Sequence, residues 1–406
     1  AIAVDRKRRR DWGFWIGDSQ KLKPAVPNPE SPISNPGNFM AQALELAARG
    51  SASTHPNPRV GCVIVRDGKV VGEGWHERAG GPHAEIHALK AAGAKALGAE
   101  IYVSLEPCCH QGRTGPCTEA LIQAGVKKVW AAMPDPNPQV SGQGFAALRA
   151  AGIECVTGLL QREAENLNRG FLSRMRRARP FVTLKLAASL DGRTAMASGE
   201  SKWITGEAAR ADVQRLRAEA GAVLTSSATV LADDPQLNCR DTGYGIRDTE
   251  SIRPPDRIVL DTHARVAASA KVWNRDGARR YWLTHSLSTM PVGDGGEGWG
   301  EGAVVQDAEL AADGYLDLAK ALQRLATHGI NEVLVECGPR LAGALLQARL
   351  VDELVLYLAP SLLGHQARPL ALLPGLKHLS ERIALKFTDI RQIGPDVRLT
   401  AEPLYP

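Results

Sequence analysis

The chain has 406 residues, 44% hydrophobic and 23% charged, with a formal net charge of +5. That length calls for two domains, at most three, and no apolar run reaches the length a bilayer-spanning helix needs. Seven cysteines, an odd number with no recognisable secretory leader, argue against a disulfide framework and for a reducing, cytoplasmic setting. Residues 1–39 hold seven Lys/Arg and four Asp/Glu, so +3 of the +5 lies there. The nearly neutral remainder excludes a large nucleic-acid footprint.

The first 39 residues run through Arg6-Lys7-Arg8-Arg9-Arg10 into a Pro/Asn/Ser-rich stretch, and the first methionine is Met40. We expect this tail to be mostly disordered or non-native. From Met40, M-A-Q-A-L-E-L-A-A-R-G predicts an amphipathic helix ending at glycine. Strands follow near 59–66 and 70–75, then a helix after His83, a strand at 101–105, a helix at 118–124 and a strand at 126–133. The Arg-rich run R-M-R-R-A-R-P at 174–180 reads as a solvated connector between halves 40–178 and 179–406. The second half opens on the strand F-V-T-L-K-L-A-A-S-L and a turn at Asp191-Gly192. A helix at 208–220 leads into strand A-V-L-T-S-S, with further strands at 257–261, 281–284, 332–337 and 353–359. Residues 286–302, rich in glycine, read as a surface loop. Strands alternating with helices place both halves in the α/β class.

Chemistry concentrates in the first half. His83-Ala84-Glu85, Pro107-Cys108 and Cys117 supply one imidazole, two thiolates and one carboxyl group. Three protein ligands leave the fourth zinc position for water, whose pKa falls to about 7, as hydrolytic sites require. A carboxyl group such as Glu85 then moves the proton from water to the leaving amine. The pattern follows the zinc deaminase signature H-x-E…P-C-x-x-C, but the second cysteine comes nine positions after the first. Spacing leaves two alternatives open. Cys109 adjoins Cys108, and His87, four residues after His83, would share its face on a regular helix while Glu85 turned away. Glu85 takes the catalytic place only if His83 sits at the irregular first turn, after Gly80-Gly81-Pro82.

The second half has no G-x-G-x-x-G fingerprint. Its nucleotide signal is the strand N-E-V-L-V-E-C running into Gly338-Pro339-Arg340-Leu341-Ala342-Gly343-Ala344, a glycine turn opening a helix. Asp233-Asp234 before a proline reads as a metal or ribose ligand, or simply as a turn.

H-P-N-P-R-V-G at 55–61, H-A-E at 83–85 and E-P-C-C-H-Q-G-R-T-G-P-C at 106–117 closely resemble the bifunctional riboflavin-biosynthesis deaminase/reductase family. In the second half, K-L-A-A-S-L-D-G-R-T-A, S-G-E-S-K-W-I-T, T-S-S-A-T-V-L-A-D-D-P and V-E-C-G-P-R-L-A-G-A-L-L resemble its reductase. The resemblance spans Met40 to Pro406.

It implies a cytidine-deaminase-like three-layer α/β domain followed by a dihydrofolate-reductase-like α/β domain. The first would remove the 2-amino group of 2,5-diamino-6-ribosylamino-4(3H)-pyrimidinone 5′-phosphate, and the second would use NADPH to reduce the ribosyl group to ribityl. Carried over by motif, zinc falls to His83, Cys108 and Cys117, and proton transfer to Glu85. Asn57, His76, His110 and Arg113 are implied as substrate contacts. NADP falls to Ala187, Trp203, Thr229, Asp233 and Gly338 through Ala344. Substrate contacts of the reductase fall to Ser201, Arg217, Leu237, Arg240 and Glu336, with Lys185 at the reduced carbon or the phosphate. The resemblance also implies self-association. Two rival readings are a nucleic-acid base deaminase with an appended α/β domain and a zinc-stabilised module with a dead site. The near-neutral body and 5% aromatic content oppose the first; an intact Glu85 opposes the second.

Overall fold

The computed structural model describes residues 35–111, 115–138, 140–240, 253–285 and 303–405. The first half comprises α1 (Pro36–Ala48), β1 (Gly61–Arg66), β2 (Lys69–Trp75), α2 (Ala84–Ala92), β3 (Glu100–Val103), α3 (Cys117–Gln123), β4 (Lys128–Ala131), α4 (Gln143–Ala150), β5 (Glu154–Thr157), α5 (Gln161–Leu167) and α6 (Arg169–Arg177). Its sheet has the order β2-β1-β3-β4-β5, antiparallel across β1 and parallel from β3 to β5. Side chains of β1 alternate between faces, and both faces are covered. Cys62 and Ile64 pack with Ala84 and Ala88 of α2, Leu121 of α3 and Leu148 of α4. Val63 and Val65 pack with Met40 and Ala43 of α1 and with Ala164 of α5. The result is three layers.

Helix α1 begins at Pro36, a turn before the predicted start at Met40. Asn35 accepts from Gly37 N at 3.0 Å and Pro36 takes the first helical position, where its missing N–H costs nothing. Residues 36–39 therefore belong to the folded first half rather than to the tail, and Phe39 packs on Tyr102. Residues 1–34 and 286–302 lie outside the described residues.

The second half comprises β6 (Phe181–Ser189), β7 (Arg193–Ala195), α7 (Glu207–Ala220), β8 (Ala222–Ser226), α8 (Ser227–Asp233), β9 (Asp256–Leu260), β10 (Arg280–Thr284), β11 (Ala303–Asp307), α9 (Leu318–Thr327), β12 (Glu332–Glu336), α10 (Pro339–Gln347), β13 (Glu353–Ala359), β14 (Arg368–Pro369), β15 (Ala384–Ile393) and β16 (Asp396–Leu404). Nine strands form one sheet in the order β11-β10-β9-β8-β12-β6-β13-β16-β15, and β7 pairs with β14. The first seven run parallel, and the hairpin β15–β16 closes the far edge antiparallel. Helices α9 and α10 cover one face through Leu322, Leu325 and Leu345. Helix α7 covers the other near β13 through Ala209 and Val213.

The predicted solvated connector at 174–180 is corrected. Three of its four arginines grip the second half: Arg179 makes a bidentate pair with Asp352 (2.7 and 2.7 Å), Arg177 reaches the same carboxylate at 2.7 Å, and Arg174 donates to Asn331 at 2.6 Å. Asp352 also accepts from Val182 N, fixing the start of β6. Their acceptors lie some 160–180 residues along the chain, so no local pattern announces them.

A second ionic cluster lies between the halves. Glu332, at the head of β12, meets Arg59 at 3.1 Å and Arg169 at 3.5 Å, and Arg169 also meets Glu353 at 2.6 Å. Burial alone would raise the Glu332 carboxyl, but Arg59 and Arg169 outweigh it and hold it below its usual range. A carboxyl lowered by folding stabilises the fold fully above its unfolded pKa, about 4.3, and loses that contribution as pH falls through the folded value. The thermal midpoint followed by calorimetry should therefore fall on acidification below about pH 4.3, and Glu332→Gln should flatten that fall. Equal acid slopes for the two proteins would refute this role of Glu332.

Candidate active sites

In the first half, three elements converge. His83 caps α2 with extended backbone (φ −77°, ψ 165°), so it stands outside the helical repeat. Glu85 then occupies the first turn and is 3% exposed. Cys117 opens α3, and Cys108 lies on the loop after β3. His83 Nδ1 is 3.2 Å from Cys117 Sγ and 3.5 Å from Cys108 Sγ, and the three ligand atoms lie within 4.8 Å of one another. A tetrahedral zinc with bonds of about 2.0–2.3 Å sets its ligands roughly 3.3–3.8 Å apart, so the group fits that ion.

The alternatives left open by spacing separate here. His87 lies inside α2 with its Cβ against Gly74 of β2, and among the described residues its buried Nε2 has no hydrogen-bond partner. Among the described residues the metal-ligand group contains neither His87 nor Cys109.

The electrostatics suit proton traffic. A hydrogen bond from Cys117, with a further one from His83, pulls the Cys108 thiol down to about 4. Burial, reinforced by the Cys108 charge, pushes the Glu85 carboxyl up to about 7. Asn57 Nδ2 donates to His76 Nε2 at 3.0 Å, and His76 Nδ1 donates to Pro82 O at 3.0 Å. Asn57 and His76 are thereby linked to the residue before His83. His110 is exposed on the cysteine loop, and Arg113 lies outside the described residues.

Two acids escaped the sequence reading. Glu106 accepts from the backbone N–H groups of Asp135, Gly142 and Phe145, tying the cysteine loop to the start of α4. Asp135 is buried beside it, and burial pushes its carboxyl up to about 6. The only sequence signal was the acid before Pro107-Cys108; Asp135 sits in P-D-P-N-P, which reads locally as a turn.

The second half holds a cavity of about 1310 Å³. Lys185 and Ala187 line it from one face of β6, Arg217 from α7, and Thr229 and Asp233 from α8. Ser201, Trp203, Leu237 and Arg240 line it from loops, and Glu336 from the end of β12. Glu336 is the hub. It takes Arg217 bidentately at 2.5 and 3.0 Å and lies 4.0 Å from Lys185. Burial would raise its carboxyl, yet Arg217 and Lys185 hold it low; burial, aided by Arg217, lowers Lys185 against the pull of Glu336. Tyr357, also missed, lines the cavity with its ring 5.8 Å from Lys185 Nζ and its hydroxyl donating to Asp212.

The glycine turn divides in two. Gly338, Pro339, Arg340 and Leu341 line the cavity. Ala342 is buried in the core, and a Cβ on Gly343 would come within 1.8 Å of Leu372 O, so that glycine serves close packing. Ala344 sits on the same helix, outside the lining. Asp234 ends α8 in a left-handed turn, its carboxylate taken by Lys271.

Comparison with known proteins decides the family. Residues 34–133 match the cytidine and deoxycytidylate deaminase zinc-binding region, and residues 180–399 match the RibD C-terminal domain. The riboflavin biosynthesis protein RibD of Escherichia coli (strain K12) is 53% identical over 367 residues, covering 89% of this chain and 97% of its own. The chain belongs to the RibD family. The solved Acinetobacter baumannii RibD agrees at 44% identity and TM-score 0.82, covering 91% of this chain and 99% of its own. A Thermotoga maritima structure described as a diaminohydroxyphosphoribosylaminopyrimidine deaminase/5-amino-6-(5-phosphoribosylamino)uracil reductase matches at 32% identity and TM-score 0.78, with the same coverage. As a RibD family member, the chain is a bifunctional enzyme of riboflavin biosynthesis, a zinc-dependent deaminase joined to an NADPH-dependent reductase. A nucleic-acid deaminase with an appended domain is not favoured. Both the cytidine-deaminase-like first domain and the reductase second domain follow from these matches.

The ligand geometry gives a direct test. Cys109→Ser and His87→Ala should keep zinc at wild-type stoichiometry. Cys108→Ser or Cys117→Ser should weaken zinc by more than the ~10–100-fold seen for loss of an outer-shell partner. Elemental analysis after dialysis against a chelator measures this, and zinc loss in Cys109→Ser would overturn the ligand set.

Proposed function

We propose that the first site deaminates 2,5-diamino-6-ribosylamino-4(3H)-pyrimidinone 5′-phosphate and that the second reduces the ribosyl group of its product to ribityl. The observation that carries the first step is geometric: the carboxyl of Glu85, 3% exposed, follows His83 in the first turn of α2 beside three converging zinc ligands. Zinc held by His83, Cys108 and Cys117 supplies activation of water at neutral pH. Glu85 takes the proton of the attacking water and delivers it to the departing amine, the role a buried carboxyl beside the ligands is placed to fill. Asn57 offers its amide to the ring edge, held by His76. His110 and Arg113 serve the phosphate side.

In the second site NADPH supplies the hydride, and the protein supplies orientation and charge. Ala187, Trp203, Thr229, Asp233 and the turn from Gly338 hold the cofactor. Arg240, Ser201 and Leu237 hold the sugar phosphate, the forked donors of Arg240 matching its oxygens. Arg217, its own fork held by Glu336, contacts the substrate from beside that pair. Lys185 and Glu336 meet the opened sugar, where Lys185 polarises the group being reduced. The near-neutral body supports action on a small molecule rather than nucleic acid. No helix among the described residues is long and apolar enough to cross a membrane; a cytoplasmic setting rests on the cysteine content. Exposed Phe387 and Ile390 on β15 support a homo-oligomer.

Glu85→Gln should keep zinc and NADPH oxidation while ammonia release falls ~10²–10⁴-fold, the usual contribution of a general acid–base. Near wild-type deamination in that variant would remove Glu85 from its role. Purified protein with NADPH and the deaminated ribosylaminouracil phosphate should consume NADPH, and inactivity of folded protein would sink the second step.

A further inference from the structure

The two sites share a structural joint at the H-P-N-P-R loop. Asn57 is tied to the zinc site through His76, whose ring lies 5.4 Å from that of His83. Its neighbours face the other half. His55 Nε2 donates to Glu219 O at 2.9 Å, and Pro56 O accepts from Asn331 at 2.8 Å. The His55 ring lies so close to Gly221 that a Cβ there would meet it at 2.6 Å, and Gly221 also has φ +73°.

Arg59 binds both halves at once. Its guanidinium donates to Leu167 O at 2.7 Å and to Glu219 O at 2.8 Å, and pairs with Glu332 at 3.1 Å. Asn168 locks its backbone on both sides, accepting from Arg59 N and donating to Arg59 O. Arg59 and Glu332 are 9% and 7% exposed, so the pair is desolvated and geometrically demanding.

The partners of Arg59 lead into the reductase cavity. Glu219 lies two residues beyond Arg217 on α7. Glu332 opens β12, which ends at Glu336. Those two ends hold the Arg217–Glu336 pair that shapes the cavity. One guanidinium therefore fixes the loop carrying Asn57 and the two elements carrying Arg217 and Glu336.

We propose that Arg59 is a positioning residue for both half-reactions: it sets the H-P-N-P-R loop at the deaminase pocket and the register of α7 and β12 at the reductase cavity. The proposal rests on the reading that Asn57 and Arg217 contact the two substrates. It also accounts for a buried ion pair where an apolar contact would pack the interface as well, because only a directional group specifies the register of three elements.

Steady-state kinetics of Arg59→Met, Arg59→Lys and Glu332→Gln test it, with zinc content and NADPH affinity measured on the same preparations. Arg59→Met should raise the KM of the deaminase substrate and the KM of the sugar substrate in the reductase, each about ten- to hundredfold, the scale of an ångström-level misplacement. Zinc stoichiometry and the Kd for NADPH should stay as in wild type. Arg59→Lys should recover part of the loss by keeping the charge toward Glu332. Glu332→Gln, which lies wholly in the reductase half, should raise the deaminase KM as well. A merely structural Arg59 would lower the active fraction and both kcat values while leaving every KM unchanged, and that result overturns the proposal. A normal deaminase KM in folded Glu332→Gln overturns it too. Wild-type protein that turns over neither substrate would instead overturn the functional reading.

Discussion

A carboxylate buried between two arginines carries the arrangement of this enzyme. Glu332 heads β12, and its partners Arg59 and Arg169 come from opposite ends of the first half. Removing a carboxylate from water costs several kcal/mol, and only well-placed opposite charges offset that cost. Once Glu332 is buried there, the first half cannot slide along the second without leaving it unpaired. The Asp352 cluster with Arg177 and Arg179 adds a second such restraint at the start of β6.

The same rule, with one sign changed, separates structure from catalysis. Glu332, buried, and Glu336, half-buried, both sit beside guanidinium groups, which outweigh desolvation and keep them ionised. Glu85 is buried like Glu332, but its charged neighbours include the Cys108 thiolate. Desolvation and like charge act together there, and the carboxyl rises to about 7. An ionised clamp holds parts in place, whereas a buried carboxyl set beside the zinc ligands, with no guanidinium partner among the described residues, is free to carry a proton between water and amine. The three acids differ in their neighbours, and the neighbours are set by the fold.

What could be read from the chain follows the distance over which each contact acts. The residues lining the reductase cavity were legible only through the resemblance of their motifs, whereas the zinc ligands and Glu85 sit in short strings whose chemistry is local. Even there, spacing alone favoured His87 over Glu85, because the extended ψ of His83 is a backbone property that spacing does not encode. Long-range pairs left no trace. Arg59 and Glu332 are 273 positions apart, and the run at 174–180 looked solvated because its acceptors, Asn331 and Asp352, come much later. The glycine turn was half legible. A glycine that admits a ligand and one that admits a neighbouring carbonyl look alike in sequence, and Gly343 proves to be the second kind.

Coupling the two halves through β12 and α7 is economical for sequential chemistry on one molecule. The deaminase site handles the ring amine beside a carboxyl kept from bulk water, Glu85 being 3% exposed next to the three zinc ligands. The reductase cavity must admit a dinucleotide and a sugar phosphate together, so it is wide and lined by loops. A wide cavity is hard to hold in shape, because its walls do not touch across the gap. Anchoring the last turn of α7 and the first residue of β12 in a dry interface gives those walls a fixed origin, and the Arg217–Glu336 pair then spans the cavity wall between two already fixed elements.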